Sequence, residues 1–95
     1  MSAYIIVDVK FSDSDEIDRY RAMVPGTLVP YGGRFIIRGG RTEVLEGRWQ
    51  PNRIVVLEFD NAERARAWWD SEEYREAKEL RQRIADTNMI LVEGV

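Results

Sequence analysis

Blocks of apolar residues alternate with polar, turn-forming stretches along the chain, and their spacing predicts strands and helices in turn. Runs rich in β-branched and aromatic side chains are typical of strands, and they occupy residues 3–10, 33–38, 53–59 and 88–94. Between the first and second of these runs, and again between the third and fourth, apolar residues recur at helical spacing. The pattern predicts an α+β domain with the order βαββαβ, the split βαβ arrangement of the ferredoxin-like class.

Capping and turn residues mark where the predicted helices begin and end. Asp13 with Glu16 resembles a capping box at the start of the first helix, and Pro25-Gly26 is expected to end that helix. Asn61 is the predicted N-cap of the second helical segment. Ser71 is predicted to be another N-cap within that segment, which indicates a jog rather than one straight helix.

The segment between the second and third main strands is rich in glycine and arginine. Gly39-Gly40 predicts a two-residue hairpin turn or a bulge, Thr42 to Leu45 a short strand, and Gly47 to Asn52 a turn. Gly32-Gly33 and Gly39-Gly40 could also frame an anion-binding loop. Neither G-x-G-x-x-G nor a P-loop lysine accompanies them, so nucleotide binding is not supported.

An antiparallel sheet with two helices on one face leaves its other face bare. Residues 4–9 and 54–59 are apolar on both sides of their strands, a pattern that a sheet with one solvated face does not favour. A single domain of 95 residues, 1–95, also has a thin core, because it buries only about 60–65% of its unfolded surface. We therefore expect a homodimer in which a second copy covers the bare face.

The chain contains neither cysteine nor histidine, and these two absences exclude much chemistry. Without cysteine there is no disulfide, thiolate nucleophile or Cys-ligated metal cluster. Without histidine there is neither the usual general base near neutral pH nor the commonest metal and haem ligand. We therefore expect no cofactor and no metal, and any catalysis has to use Asp, Glu, Tyr, Arg, Lys, Ser or Thr.

Charge is unevenly distributed along the chain. The net charge of −3 argues against binding to nucleic acid or to anionic membranes, whereas residues 32–53 hold five arginines and two glutamates, a local balance of +3 that would attract anions. Residues 53–59 also lack the aromatic, glycine-interleaved pattern with which RNA-recognition strands stack bases. No apolar run approaches the roughly 20 residues that span a bilayer. No basic stretch precedes the N-terminal apolar residues, so we expect a cytoplasmic protein.

Arg38 is the first candidate for a ligand-binding residue. It ends an apolar strand, where alternation places it on the face of Arg34 and Ile36, and it could hold a substrate carboxylate bidentately. Alternatively it belongs to a structural ion-pair network with carboxylates near strand ends, namely Asp8, Glu58 and Glu93. Two of these carboxylates, if partly buried together, would include one with a raised pKa that shuttles protons. The three are therefore also the candidate catalytic residues.

Aromatic residues on the second helical segment supply further candidates. Trp68 and Trp69 cannot both point inward, because neighbours on a helix are about 100° apart. One of them is expected in the core and the other at a cleft, an interface or the solvent. The predicted pocket-lining residues of this segment are Trp68, Trp69, Tyr74 and Arg81. Trp49, flanked by Arg48, is instead expected at the dimer contact.

Several motifs occur together in this chain: Gly32-Gly33-Arg34-Phe35, Arg38-Gly39-Gly40, Leu45-Glu46-Gly47, the strand 53–59, Trp68 and Ser71-Glu72-Glu73-Tyr74. Over nearly the whole chain this combination resembles the domain of unknown function 1330 family, within the dimeric α+β barrel superfamily. The resemblance implies a ferredoxin-like subunit whose sheet packs against that of a second subunit. It implies no reaction, because the family carries no assigned one. Superfamily relatives include cofactor-free monooxygenases, isomerases of small ring compounds and haem enzymes, but the haem enzymes and most isomerases rely on histidine, which this chain lacks.

These observations predict a small homodimer with a pocket for a small apolar or carboxylated organic molecule. The protein is then either a cofactor-independent enzyme, similar to the monooxygenases or isomerases, or a ligand-binding protein. The alternative is a purely structural or regulatory dimer, which nothing in the sequence excludes.

Overall fold

The computed structural model describes residues 1–95 as four antiparallel strands and three α-helices. The strands are β1 (Ala3–Phe11), β2 (Arg34–Arg38), β3 (Ile54–Phe59) and β4 (Ala85–Glu93). The helices are α1 (Ile17–Leu28), α2 (Ala62–Trp69) and α3 (Glu72–Ile84), and a short 3-10 turn, Val29–Tyr31, follows α1. The predicted α+β fold of the ferredoxin-like class is confirmed. No helix of the protein is long and apolar enough to cross a membrane.

The strands lie in the order β2-β3-β1-β4, and every neighbouring pair is antiparallel. β4 starts at Ala85, earlier than the predicted residue 88, because it pairs with β1 as far as Phe11. Alternate residues of β1 point to the helices and are buried, namely Ala3, Ile5, Val7 and Val9. The intervening residues point to the opposite side of the sheet, which we call the outer face.

Trp68 lies in the centre of the core. Its side chain is 1% exposed, and its ring stacks on the Tyr74 ring with 3.9 Å between centroids. The indole Nε1 donates a hydrogen bond of 3.0 Å to Thr27 Oγ1, so the one polar atom of this buried ring has a partner. Trp69, one residue further on, is only partly buried. The expectation that just one of the two tryptophans enters the core is confirmed.

The predicted jog between the second and third helices is present. Asn61 caps α2, and its side chain accepts a hydrogen bond of 2.9 Å from the backbone N–H three residues on. Ser71 caps α3 in the same way, with a hydrogen bond of 3.1 Å from the N–H of Tyr74. Each cap satisfies a backbone donor that a helix start leaves free. Because α3 starts anew at Ser71, Tyr74, Ala77 and Leu80 fall on its buried face.

The start of α1 differs from the prediction. Glu16 is the N-cap residue, but its side chain makes no capping hydrogen bond. Its backbone N–H instead donates a hydrogen bond of 3.1 Å to Ser14 Oγ, and its carboxylate pairs with Arg19 at 3.2 Å. The capping box expected between Asp13 and Glu16 does not form.

The end of α1 also differs, because the helix continues through Pro25 to Leu28. The prediction that Pro25-Gly26 ends the helix was wrong. Val24, Thr27 and Leu28 are all buried, and burial of such side chains offsets a proline inside a helix, which costs about 3 kcal/mol.

Residues 39–53 form a loop between β2 and β3, so the short strand expected at Thr42 to Leu45 is absent. Asp8 of β1 holds this loop. Its carboxylate accepts hydrogen bonds from Trp49 Nε1 at 3.0 Å and from the N–H of Asn52 at 2.9 Å. Because Asp8 points to the outer face, the loop is tied to that side of the sheet.

The outer face carries exposed apolar side chains that no helix covers. Ile37, Ile90 and Val92 lie on this face, since they pair with outward-facing residues of the neighbouring strands. Their exposures are 45%, 56% and 39%. Leu45 and Trp49 of the loop are also largely exposed. The subunit therefore has one covered and one uncovered side of its sheet.

Candidate ligand-binding site

A cavity opens between the helices and the helix-facing side of the sheet. Val7, Val9, Val55 and Leu57 form its floor, and its volume is about 50 Å³, or about 520 Å³ when the open mouth is included. Of the 15 residues that line it, 11 are hydrophobic and the other four are the arginines Arg21, Arg38, Arg53 and Arg81. An apolar cavity whose charged lining is entirely cationic favours a ligand with an apolar body and an acidic group.

A bulge in β2 turns Arg38 into this cavity. The pairing between β2 and β3 shifts after Phe35, so that Arg38 lies opposite Val55, on the helix-facing side. The guanidinium carbon of Arg38 is 4.1 Å from the centroid of the Phe35 ring. Simple alternation predicted that Arg38 shares a face with Arg34 and Ile36. This prediction was wrong, because the extra residue at the bulge moves Arg38 to the other face.

Because of Pro25, a backbone carbonyl of α1 is free to accept a hydrogen bond from Arg38. Proline has no N–H, so the carbonyl of Arg21, four residues earlier in α1, loses its usual helical partner. Arg38 Nη2 donates to this carbonyl at 3.1 Å. The proline that was expected to end the helix thus helps to position an arginine of the cavity.

Arg53 packs against the backbone of Gly39, at the opposite end of the loop. A Cβ atom at Gly39 would overlap the Arg53 guanidinium, and the φ of Gly39, +71°, lies in the left-handed region that favours glycine. Burial lowers the pKa of Arg53, and the charges of Arg21 and Arg38 lower it further. The three guanidinium groups are therefore close enough to repel one another. We call Arg21, Arg38 and Arg53 the mouth arginines.

No carboxylate neutralises the arginines of the cavity. The ion pairs of the protein join other cations, Arg19, Arg34 and Arg75, to glutamates. The Nε of Arg21 is buried and has no hydrogen-bond partner. Unpaired cations that lie close together repel one another and lose hydration when they are buried. The mouth arginines thus lack a counter-ion that an anionic ligand would supply.

Arg81 and two tyrosines form the more deeply buried part of the cavity, which we call the inner end. Arg81 is 4% exposed, and its Nε donates a long hydrogen bond of 3.4 Å to the hydroxyl of Tyr74. The hydroxyl oxygens of Tyr74 and Tyr20 are also 3.4 Å apart. Burial and the neighbouring Tyr74 raise the pKa of Tyr20, so Tyr20 keeps its proton and can donate a hydrogen bond.

The three candidate catalytic carboxylates lie apart from one another and do not line the cavity. Asp8 and Glu58 both point to the outer face, but they are four register positions apart, opposite Ile54 and Tyr4 respectively. Glu93 lies opposite Ala3, at the end of β4. The expected ion-pair network between these carboxylates and Arg38 does not form. The structure also contains no group of three acidic residues that could hold a metal ion.

Hydrogen bonds keep two of these carboxyl groups ionised. Partial burial acts to raise the pKa of Asp8, but the bonds from Trp49 and Asn52 outweigh it and lower the pKa. Glu58 follows the same pattern, since hydrogen bonds from Tyr4 and the charge of Arg34, 2.7 Å away, lower its pKa despite burial. Neither group is thus tuned to exchange protons near neutral pH. A catalytic role for Asp8, Glu58 and Glu93 stays a prediction.

Comparison with protein families places the chain among its relatives. The model of DUF1330, a domain of unknown function, matches residues 2–95. The chain belongs to the DUF1330 family. The matched range includes every residue of the cavity, so the site lies wholly within the family domain. No curated protein matches this sequence.

Solved structures similar to this DUF1330 protein share its fold at low sequence identity. A protein of unknown function from Rhodopseudomonas palustris is 16% identical, with a TM-score of 0.75 over 99% of this chain and 82% of its own. A dimeric ferredoxin-like protein of unknown function from Jannaschia sp. CCS1 is 15% identical, with a TM-score of 0.70 over 99% and 100%. A provisional antibiotic biosynthesis monooxygenase from Nitrosomonas europaea is 11% identical, with a TM-score of 0.58 over 99% and 90%. At these identities the similarity establishes the ferredoxin-like fold and no activity.

Most of the predicted ligand-binding residues meet in the DUF1330 cavity. Arg38, Trp68, Tyr74 and Arg81 all line it, although they come from β2, α2 and α3. Trp69 instead lines a separate groove between α2 and β4, where Lys78 Nζ lies 4.4 Å from its ring centroid. The structure therefore brings four of the five residues together.

Sequence reasoning did not assign Tyr20, Arg21 and Arg53 to the pocket. Tyr20 falls on the inward face of α1, which was the available signal for it. The signal for Arg21 was a proline four residues later, which frees the Arg21 carbonyl for another donor. Nothing local marked Arg53, because the loop brings it beside Gly39 only in the folded chain.

Proposed function

We propose that this DUF1330 protein binds a small organic acid, whose carboxylate lies among the mouth arginines and whose apolar part enters the cavity. The observation that carries the proposal is the cluster of three arginines with no carboxylate partner at the entrance to an apolar cavity. The buried Nε of Arg21, which has no acceptor, supports it. The acid would supply that acceptor.

The chemistry of the lining favours a carboxylate over a neutral ligand. Guanidinium groups bind carboxylates through paired, charge-assisted hydrogen bonds, which are stronger than bonds between neutral groups. Arg38 is exposed and already held by Phe35 and the Arg21 carbonyl, so little of its freedom remains to be lost on binding. The cavity volume of about 50 Å³ equals that of a few water molecules, at roughly 10–15 Å³ each. The apolar part of the acid is therefore no larger than one ring or a short chain.

Cofactor-independent turnover of such an acid is the second candidate function, and the hydroxyl donors of the inner end favour it. Burial keeps Tyr20 protonated, and the Arg81 guanidinium donates to the neighbouring Tyr74 hydroxyl. Donors fixed in an apolar site stabilise negative charge that develops on a substrate. No carboxylate or lysine lines the cavity. A reaction there would then rely on electrostatic stabilisation, including a hydrogen bond donated by Tyr20, rather than on a general acid or base.

We further propose that the protein acts as a homodimer through the outer face of its sheet. The exposed Ile37, Ile90 and Val92, together with Leu45 and Trp49 of the loop, support a second copy as the covering partner. The similar protein from Jannaschia is described as dimeric. Sedimentation at micromolar concentration is expected to give twice the chain mass of 11.1 kDa. A monomer at that concentration would contradict the dimer.

The binding proposal is tested by calorimetry with benzoate and hexanoate and with the variants Arg38→Met and Arg75→Met. Arg75 is the matched control, because it lies exposed on α3 outside the cavity and forms only a surface ion pair with Glu72. Loss of a hydrogen bond to a charged group costs about 1.5–3 kcal/mol, so Arg38→Met is expected to weaken binding at least about tenfold. Arg75→Met is expected to leave affinity unchanged. Absence of binding to the unmodified protein, or equal losses in both variants, would contradict the proposal.

A further inference from the structure

The inner end of the cavity carries a cation that comes from a different part of the fold from the mouth arginines. Arg81 lies on α3, which leads directly into β4, whereas the mouth arginines belong to α1, to β2 and to the residue before β3. In the sheet order β2-β3-β1-β4, the strands β2 and β3 lie on one side of β1 and β4 lies on the other. The four arginines of the cavity thus fall into two groups that come from different elements, above one apolar floor.

Arg81 is a buried cation with few partners. It is 4% exposed, it takes part in no ion pair, and its hydrogen bond to Tyr74 is 3.4 Å long. It also contacts the Tyr20 hydroxyl, and its guanidinium carbon lies 6.0 Å from the centroid of the Trp69 ring. Asp86 lines a surface depression that Arg81 also borders, yet the two form no ion pair. A buried ammonium or guanidinium group normally has a counter-ion, because an isolated charge in an apolar interior costs several kcal/mol. None of the side chains in contact with Arg81 carries a negative charge.

The two tyrosines beside Arg81 are suited to the same partner. Tyr20 and Tyr74 share one contact of 3.4 Å between their hydroxyl oxygens, which is too long to be a strong hydrogen bond. At most one hydroxyl proton lies between them, so the other remains free for an acceptor in the cavity. Two hydroxyl groups and a guanidinium at one end of an apolar cavity are the donors that a carboxylate requires.

We infer that the ligand is a small dicarboxylic acid with an apolar body, and that the inner end, made by Arg81, Tyr20 and Tyr74, binds its second carboxylate. The inference rests on the proposed function, since the first carboxylate lies among the mouth arginines. It narrows the ligand from organic acids in general to those with acidic groups at both ends. The small cavity limits the body to a single ring or a short chain.

The experiment compares acids that differ only in the second carboxylate. Benzoate is paired with isophthalate and with terephthalate, and hexanoate is paired with adipate. These diacids differ in the distance between their two carboxylates, and the distance between the mouth arginines and the inner end determines which of them fits. Calorimetry on the unmodified protein is expected to show at least one diacid that binds at least about tenfold more tightly than its monoacid, the gain from a charge-assisted hydrogen bond. In Arg81→Met that gain is expected to vanish, so that the diacid binds no more tightly than its monoacid.

Two further variants keep the test decisive if Arg81→Met does not fold. Tyr20→Phe removes one hydroxyl of the inner end and is expected to reduce the preference for the diacid over its monoacid. Arg38→Met is expected to weaken both acids of a pair, which separates the two ends of the cavity. Thermal melting of each variant without ligand identifies any loss of fold.

The outcomes distinguish the inference from the proposed function. Equal affinities for every diacid and its monoacid in the unmodified protein would overturn the second carboxylate and leave the binding of a monoacid intact. A preference for a diacid that survives both Arg81→Met and Tyr20→Phe would overturn the assignment to the inner end. No binding of any acid would overturn the proposed function and the inference together.

Discussion

The two faces of the sheet differ in which kind of side chain lacks a partner. On the outer face Glu58 pairs with Arg34 and Asp8 holds the loop, but apolar side chains such as Ile90 are exposed. On the helix-facing side the apolar side chains are buried, but the mouth arginines and Arg81 have no counter-ions. Exposed apolar area is typical of a surface that binds another protein. Unpaired positive charge in an apolar cavity is stabilised by an anion. The proposed assembly and the proposed ligand binding therefore involve different faces of the sheet.

The largest expected effect on the free energy of unfolding comes from a charged side chain at a buried position of the outer face. Val56 lies on this face but is only 8% exposed within the subunit, so Val56→Asp buries a carboxylate without a partner and is expected to lower the free energy of unfolding by at least about 3 kcal/mol. Ile90→Asp is the matched variant, because Ile90 is 56% exposed in the subunit. It is expected to abolish the dimer and leave the subunit folded. Circular dichroism and sedimentation together check both, and a stable dimer of Ile90→Asp would show that the outer face is not the interface.

Replacement of Pro25 by alanine is expected to raise the stability of the fold and to lower the affinity for small acids. Alanine restores the N–H that bonds the Arg21 carbonyl, so Arg38 loses the acceptor that positions it. A proline inside a helix costs up to about 3 kcal/mol relative to alanine, although proline also restricts the unfolded chain, which reduces the net gain. We expect a melting temperature several degrees higher and affinity for small acids a few-fold lower.

Pro30→Ala is the control for that experiment, because Pro30 lies in the exposed 3-10 turn after α1. It is expected to change neither affinity nor melting temperature by a comparable amount. Undiminished acid binding by Pro25→Ala would show that the freed carbonyl does not position Arg38.

Acid is expected to loosen the loop 39–53 before it affects the cavity. The pKa of Asp8 is lowered in the folded protein, so its contribution to stability is complete above its unfolded pKa, about 3.9, and is lost as the pH falls through the lower folded pKa. The NMR signal of the Trp49 indole N–H reports the hydrogen bond to Asp8. We expect this signal to shift below about pH 4 in the unmodified protein and to show no such titration in Asp8→Asn. A titration near neutral pH would contradict the assignment.

The smallest expected effect concerns the three carboxylates outside the cavity. Asp8→Asn, Glu58→Gln and Glu93→Gln are expected to change affinity for small acids by less than about twofold, since none of these side chains lines the cavity. Binding is also expected to persist in EDTA. If a substrate is found, loss of turnover in any of these variants would restore that carboxylate as a catalytic residue, and loss on chelation with recovery on metal addition would overturn the metal-free prediction.

Local chemistry made much of the fold predictable from the sequence. The β-branched runs that became β1 and β3, and the caps Asn61 and Ser71, depend on residues within a few positions of one another. The same is true of the angle between Trp68 and Trp69, which allows only one of them into the core. Tyr74 and Arg81 were predicted to line a pocket because of their residue types and their place on the second helical segment, and both line the cavity.

Tertiary structure decided what depends on pairing between distant segments. The side of the sheet on which Arg38 lies follows from a bulge against β3, and strand alternation cannot reveal a bulge that arises from pairing with another strand. Pro25 remains inside α1 because its neighbours Val24 and Leu28 gain burial in the core, which a rule based on adjacent residues does not include. Whether an arginine has a counter-ion depends on every segment that surrounds it. The sequence therefore shows which residues are cations, but only the tertiary structure determines which of them lack a counter-ion.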